Sequence, residues 1–101
     1  MIRLTAVAES REFKINMPNV KVGAASSKSI IAKRHADASL AVKHPLSEPE
    51  TIRDLGELAY ETTYRITLRC VMDDSPQTFS EVFYVSEDLE YDAILRKNAG
   101  S

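Results

Sequence analysis

With 101 residues, 44% of them hydrophobic and 28% charged, the chain can build one core but not two, since domains usually run to ~100–150 residues. No run approaches the ~20 apolar residues of a membrane span, the start MIRLTAVAESREF meets charge too early for a signal peptide, and the lone Cys70 excludes an internal disulfide. An intracellular location in a reducing compartment, cytoplasmic or nuclear, is expected; the net charge of −2 gives no support to nucleic-acid binding, and no membrane contact is expected.

The total hides an asymmetry: residues 1–45 carry 8 Lys/Arg against 3 Asp/Glu, whereas residues 46–101 carry 5 against 12. In a domain this small both halves share one core, so the split reads as two differently solvated faces. Along the chain, Ile2, Leu4, Ala6 and Ala8 alternate with polar residues and Val7, and Phe13, Ile15 and Met17 do so again, which predicts two half-buried strands. Pro18-Asn19 interrupts the run and Val20 and Val22 resume it. From Ser26 or Ser27 as N-cap, the spacing predicts a short helix from about Lys28 to Ser39. KHPLSEPE, with Pro45 and Pro49, reads as a loop. Tyr64, Ile66, Leu68 and Cys70 then alternate with Arg65, Thr67, Arg69 and Val71, and after the turn residues Asp73-Asp74-Ser75-Pro76 the stretch from Thr78 to Val85 returns as the second arm of a β-hairpin. The tail carries the apolar trio Ala93-Ile94-Leu95. Residues 1–99 are expected to form a single domain, with Gly100-Ser101 as a cloning remnant.

This order of elements resembles retropepsin-like aspartic proteases of retroviruses and long-terminal-repeat retrotransposons. Phe83-Tyr84-Val85 followed by Asp92-Ala93-Ile94-Leu95 is similar to the family's "F-x-V" strand and "D-a/v-I-L-G" segment. Upstream, VKVGAASSKSIIAKRHADASL resembles its catalytic segment, which places the catalytic Asp at Val22, the Thr/Ser at Gly23, the Gly at Ala24 and the following Ala at Ala25. The resemblance covers roughly residues 11 to 96. It implies a mostly β fold, a small closed retropepsin-like barrel with one short helix, and a homodimer whose terminal strands interleave in a shared sheet. The interface residues so implied are Ile2 and Leu4 at one end and Ile94 and Leu95 at the other, joined by the loop Val22 to Ala25 at the dimer axis.

Valine cannot share a proton across that axis or activate water, so no catalytic residue is assigned and a pseudo-protease is expected, retained for homodimerisation or protein–protein interaction. The family's flap falls near Asp54-Leu55-Gly56-Glu57-Leu58, and Arg96 stands where the family has the glycine of "ILG". A sheet edge left at the termini could accept a strand from a protein or peptide partner. The alternatives are an active aspartic-type peptidase with an unrecognised site, or a small β-barrel that binds nucleic acid or a peptide.

Other constellations favour plain structural roles. Asp73-Asp74 and the acidic run Glu87, Asp88, Glu90 and Asp92 read as solvated loops, and His35, His44 and Cys70 lack metal-ligand spacing, so no metal and no cofactor are expected. Ser29, His35 and Asp37 would share one short helix, which forbids triad geometry. The basic cluster Lys28, Lys33, Arg34 and His35 lacks interleaved aromatics, leaving nucleic acid a minor option. Phe79, Phe83, Tyr84 and Tyr91 read as core.

Overall fold

A computed structural model describes residues 2–8, 13–24, 27–56, 58–73, 75 and 77–100. Seven strands and one helix follow the chain: β1 (Ile2–Val7), β2 (Lys14–Ala24), β3 (Ser29–Ala32), α1 (Lys33–Ser39), β4 (His44–Arg53), β5 (Ala59–Met72), β6 (Thr78–Ser86) and β7 (Ala93–Arg96). They form one sheet in the order β1-β2-β7-β3-β6-β5-β4, and an additional antiparallel pairing of β1 with β5 closes six strands into a barrel, leaving β4 as an edge ribbon on β5. The β5–β6 hairpin has the expected arms, in register from Arg65↔Tyr84 to Val71↔Thr78.

Alternation explains the barrel. Leu4, Ala6, Ile15, Met17, Ile66, Leu68, Cys70 and Phe83 all point inward and are buried, while their sequence neighbours face out. A second apolar cluster lies on the outer side, where Ile52 of β4 and Leu89 pack with Ile30, Tyr60, Tyr84 and Ile94. Phe83 and Tyr84 are core as expected, and Phe79 and Tyr91 are half-buried against these clusters.

Three boundaries differ from the sequence reading. The stretch expected as a helix from Lys28 is a strand up to Ala32, and only Lys33–Ser39 is helical. Ile30 and Ile31 are adjacent and both fully buried, because β3 lies between β7 and β6 with both faces covered; a helix would have turned one of them away. The stretch expected as a loop, KHPLSEPE, lies almost wholly in β4. Pro45 and Pro49 are tolerated there because β4 pairs on one side only, and its register slips between Pro45 and Glu50. Pro18-Asn19 does not end β2 but sits at a bulge, where the pairing jumps from Leu4↔Met17 to Ile2↔Val20.

The terminal strands overturn a fourth expectation. Ile2 is half-buried, but Leu4, Ile94 and Leu95 are at most 1% exposed within the single chain. β1 is paired on both sides, by β2 and β5, and β7 lies between β2 and β3. Barrel closure therefore covers the apolar termini that a lone subunit was expected to expose, and neither terminal strand offers a free edge. Among the described residues the open edge is that of β4, whose two prolines blunt it.

Cys70 sits on β5 inside the barrel. Burial, and secondarily the charge of Glu81, pushes its thiol up to about 12. The native protein at pH 8 is therefore expected to resist iodoacetamide or a disulfide reagent, with full labelling appearing only in denaturant. Rapid native labelling would show that β5 opens locally or that Cys70 is not enclosed.

Candidate functional site

The carboxyl end of β2 meets the tip of the β4–β5 hairpin. Val22 is 47% exposed, whereas Gly23 and Ala24 are buried. Gly23 has φ +132, a conformation L side chains rarely adopt, and a Cβ built on it would lie 2.8 Å from Leu55 Cδ1. Position 23, expected from the sequence to match a Thr/Ser, thus favours glycine in this chain. Ala25 lies outside the described residues.

The tip is tied down by backbone. Leu55 N donates to Gly23 O at 3.1 Å, and Asp54 bridges Ala24 in antiparallel fashion. Asp54 also builds the turn: its N donates to Leu58 O at 3.0 Å, and its Oδ1 accepts from Gly56 N at 2.8 Å and Leu58 N at 3.0 Å. Oδ2 lies 3.5 Å from Lys21 Nζ and has no hydrogen-bond partner. The Tyr60 hydroxyl is likewise buried, and its pKa is raised, first by burial and then by the charges of Asp54 and Glu90. Lys21 Nζ lies 5.4 Å over the Tyr91 ring. Leu55 and Leu58 project outward at 64% and 52% exposure, and Leu55 is bonded through its backbone to Gly23, the residue after Val22. Among the described residues, the carboxylate placed against the β2 end is that of Asp54, which sequence reading took only as part of a flap.

Two buried polar networks hold this end of the barrel in shape. Asp92, the Asp of the "D-a/v-I-L" match, accepts Asn19 N on Oδ2 at 2.9 Å and Arg34 Nη2 on Oδ1 at 2.8 Å, with His35 Nε2 also 2.8 Å from Oδ1. It links β2, α1 and β7. Burial alone would raise its carboxyl, but the hydrogen bonds from His35, Asn19 and Arg34 outweigh that and hold it below the ordinary carboxylate range. A depressed native pKa adds stability that is present above the unfolded-state value of ~3.9 and is lost as pH falls through the native value. Asp92→Asn should therefore lower the urea midpoint at pH 7, and the gap from wild type should close on acidification below pH ~4. A gap independent of pH would assign the loss to packing.

In the second network, Ser29 Oγ donates to Glu81 Oε2 at 2.5 Å, Arg96 Nε and Nη2 donate to Oε2 and Oε1 at 2.9 and 3.2 Å, and Arg96 N donates to Ser29 Oγ at 2.9 Å. Arg96 is thus the counter-ion of a buried glutamate. Glu81 was missed in the sequence, although its position in the alternation Phe79, Glu81, Phe83, Val85 marks it as facing inward.

The remaining candidates are dispersed. Ser29 belongs to the Glu81 network, His35 to Asp92, and Asp37 pairs with Lys33 and Lys43 at 2.8 and 3.2 Å. Of the basic cluster, Lys28 pairs with Glu50 and Arg34 with Asp92, and His44 is exposed on β4. Among the described residues no group of three or more His, Cys, Asp or Glu could hold a metal ion, and no helix is long and apolar enough to cross a membrane. No protein-family model matches the chain, and no curated protein or solved structure does.

Proposed function

We propose that this chain is a retropepsin-like barrel without hydrolytic chemistry that serves as an intracellular protein-interaction module, with self-association as its first use. The reading is carried by the end of β2: Val22, Gly23 and Ala24 supply no carboxylate, Val22 is exposed, and Leu55 and Leu58 are exposed on the hairpin tip that Asp54 fixes and that bonds to Gly23. The terminal strands are spent inside the chain, so the association surface moves from Ile2, Leu4, Ile94 and Leu95 to this tip. Burying three such side chains contributes up to ~1.5–3 kcal/mol each, enough to offset an association cost of several kcal/mol. Sedimentation velocity tests it: the wild type should dimerise in the micromolar range and Val22→Asp with Leu55→Asp should be monomeric and folded. A wild type that stays monomeric removes self-association, and a dimer indifferent to both changes places the surface elsewhere.

The second reading, an active peptidase, has one observation in its favour, the buried Asp54 Oδ2 without a hydrogen-bond partner opposite Ala24. Incubation with peptide libraries from acid to neutral pH, with and without an aspartic-protease inhibitor, separates the two. We expect no cleavage; inhibitor-sensitive cleavage abolished by Asp54→Asn establishes the peptidase.

A further inference from the structure

The register of β4 against β5 leaves one stretch of the sheet unpaired. Pro45 pairs with Tyr64 and Glu50 with Thr62, so residues 46–49 stand opposite Thr63 alone and bulge from the ladder. The far end of the bulge is anchored, since Thr62 Oγ1 donates to Glu50 O at 2.8 Å. Within it Leu46 packs on the outer apolar cluster, while Ser47, Glu48 and Pro49 are exposed. The Ser47 hydroxyl has no hydrogen-bond partner among the described residues.

Ser47 is followed by carboxylates at its first and third positions, Glu48 and Glu50. Two other serines or threonines precede a carboxylate by three residues, Thr51 before Asp54 and Thr78 before Glu81. Those two carboxylates are only 2% and 4% exposed, one bound in its own turn and the other to Ser29 and Arg96, and both threonines are paired in the ladder, with Glu61 and Val71. Ser86 precedes Glu87 and Asp88, but it is buried and its Oγ accepts from Asp88 N at 3.3 Å. Burial and register therefore single out Ser47 from a pattern that several positions satisfy in sequence.

We infer that Ser47 is a phosphorylation site for a kinase whose substrate groove is basic and reads carboxylates on the C-terminal side of the acceptor. A kinase holds its substrate extended with the backbone free, which residues 46–49 on the open edge strand offer and a residue inside the ladder does not. Charge selects the class of kinase. Glu48 is exposed and forms no ion pair among the described residues, and Glu50 is held by Lys28 in a pair whose side chains are 37% and 34% exposed, weak enough for a basic subsite to displace. On the N-terminal side stand Lys43, already paired with Asp37, and His44, so the acidic side is the one that follows Ser47. In the transfer, Ser47 Oγ attacks the γ-phosphorus of a nucleoside triphosphate; the Oγ–P bond forms as the bond to the bridging oxygen breaks, the nucleoside diphosphate leaves, and the hydroxyl proton passes to the kinase's catalytic carboxylate. The phosphate adds about −1.5 to −2 of charge beside Glu48, on the sheet edge that stands open, where it opposes strand addition by another chain. A supply of nucleoside triphosphate ties the site to the intracellular part of the proposed reading, but not to self-association at the hairpin tip.

Incubation of the folded chain with ATP, Mg²⁺ and the acid-directed casein kinase II tests this, read by intact mass and by fragment sequencing in the mass spectrometer. One phosphate is expected, on Ser47, with none on Thr51, Thr78 or Ser86, and Ser47→Ala should remove it. Glu50→Gln should slow the transfer about tenfold or more, the loss expected when a charge-assisted hydrogen bond becomes a neutral one. Glu61→Gln, an exposed carboxylate on β5 outside the motif, should match wild type. A kinase that reads arginine ahead of the acceptor should leave Ser47 unmodified. Circular dichroism confirms that each variant is folded, and sedimentation of the unmodified chain decides self-association separately. The inference is overturned by a wild type that takes up no phosphate, by phosphate on a different residue of the folded chain, or by a rate at Ser47 indifferent to both Glu48→Gln and Glu50→Gln.

Discussion

Ile94→Asp is expected to leave the chain unfolded at 25 °C, and Leu4→Asp to do the same. Ile94 is fully buried on β7, between Lys21 of β2 and Ile30 of β3, and packs in the outer apolar cluster; Leu4 faces the barrel interior between β2 and β5. Each change deletes a core side chain at a cost of ~2–5 kcal/mol and places a carboxylate where no cation stands to meet it. A domain of this size holds ~5–15 kcal/mol in total, so either loss is comparable with the whole. Thermal and urea melts followed by circular dichroism decide it, with Glu48→Lys on the exposed edge strand as the neutral comparison. An Ile94→Asp variant that melts within a few degrees of wild type would show that β7 is not sandwiched between β2 and β3. The same burial makes these two variants useless as probes of assembly, since they break the protomer before they can break a dimer; Val22→Asp and Leu55→Asp, at exposed positions, are the informative pair.

How far the sequence could be read follows from which interactions are local. Alternation along Tyr64–Cys70 and Thr78–Val85 is a property of consecutive residues and predicted the β5–β6 hairpin with nearly its observed bounds. Ser29–Ala32 was ambiguous because adjacent buried isoleucines satisfy a short helix as well as a strand covered on both faces, and only its neighbours β6 and β7 settle it. His44–Arg53 was hidden by two prolines whose missing N–H groups matter only if a strand lies on both sides. The burial of Leu4 depends on closure of β1 onto β5, a contact between residues nearly 70 positions apart, and that of Ile94 and Leu95 on the pairing of β7 with both β2 and β3. At the candidate site, the absence of a carboxylate from Val22 to Ala24 was legible directly. The φ of Gly23, the contact from Leu55 and the engagement of Asp54 with its own turn were not, because each is set by where the hairpin tip lands.

Arg96→Gly is the second substitution with a large expected effect. Glu81 is only 4% exposed, and both of its oxygens are held by the Arg96 guanidinium, with Ser29 as the one further donor. Removing the cation leaves a buried carboxylate without its counter-charge, which typically costs ~3–5 kcal/mol, and glycine in a strand adds ~0.5–1 kcal/mol. By contrast, Lys33→Ala on the solvent-exposed pair with Asp37 should leave the urea midpoint close to that of wild type, because water screens both partners. The double-substituted protein isolates the cause. In Arg96→Gly/Glu81→Gln the buried group is neutral and Ser29 can still donate to its amide oxygen, so part of the lost stability should return, giving a coupling of ~0.5–3 kcal/mol between the two sites. Urea denaturation of wild type, both single variants and the double variant closes the cycle. Strict additivity would mean that Arg96 stabilises the barrel through its backbone bond to Ser29 and its aliphatic stem alone, and that the charge of Glu81 is met by solvent.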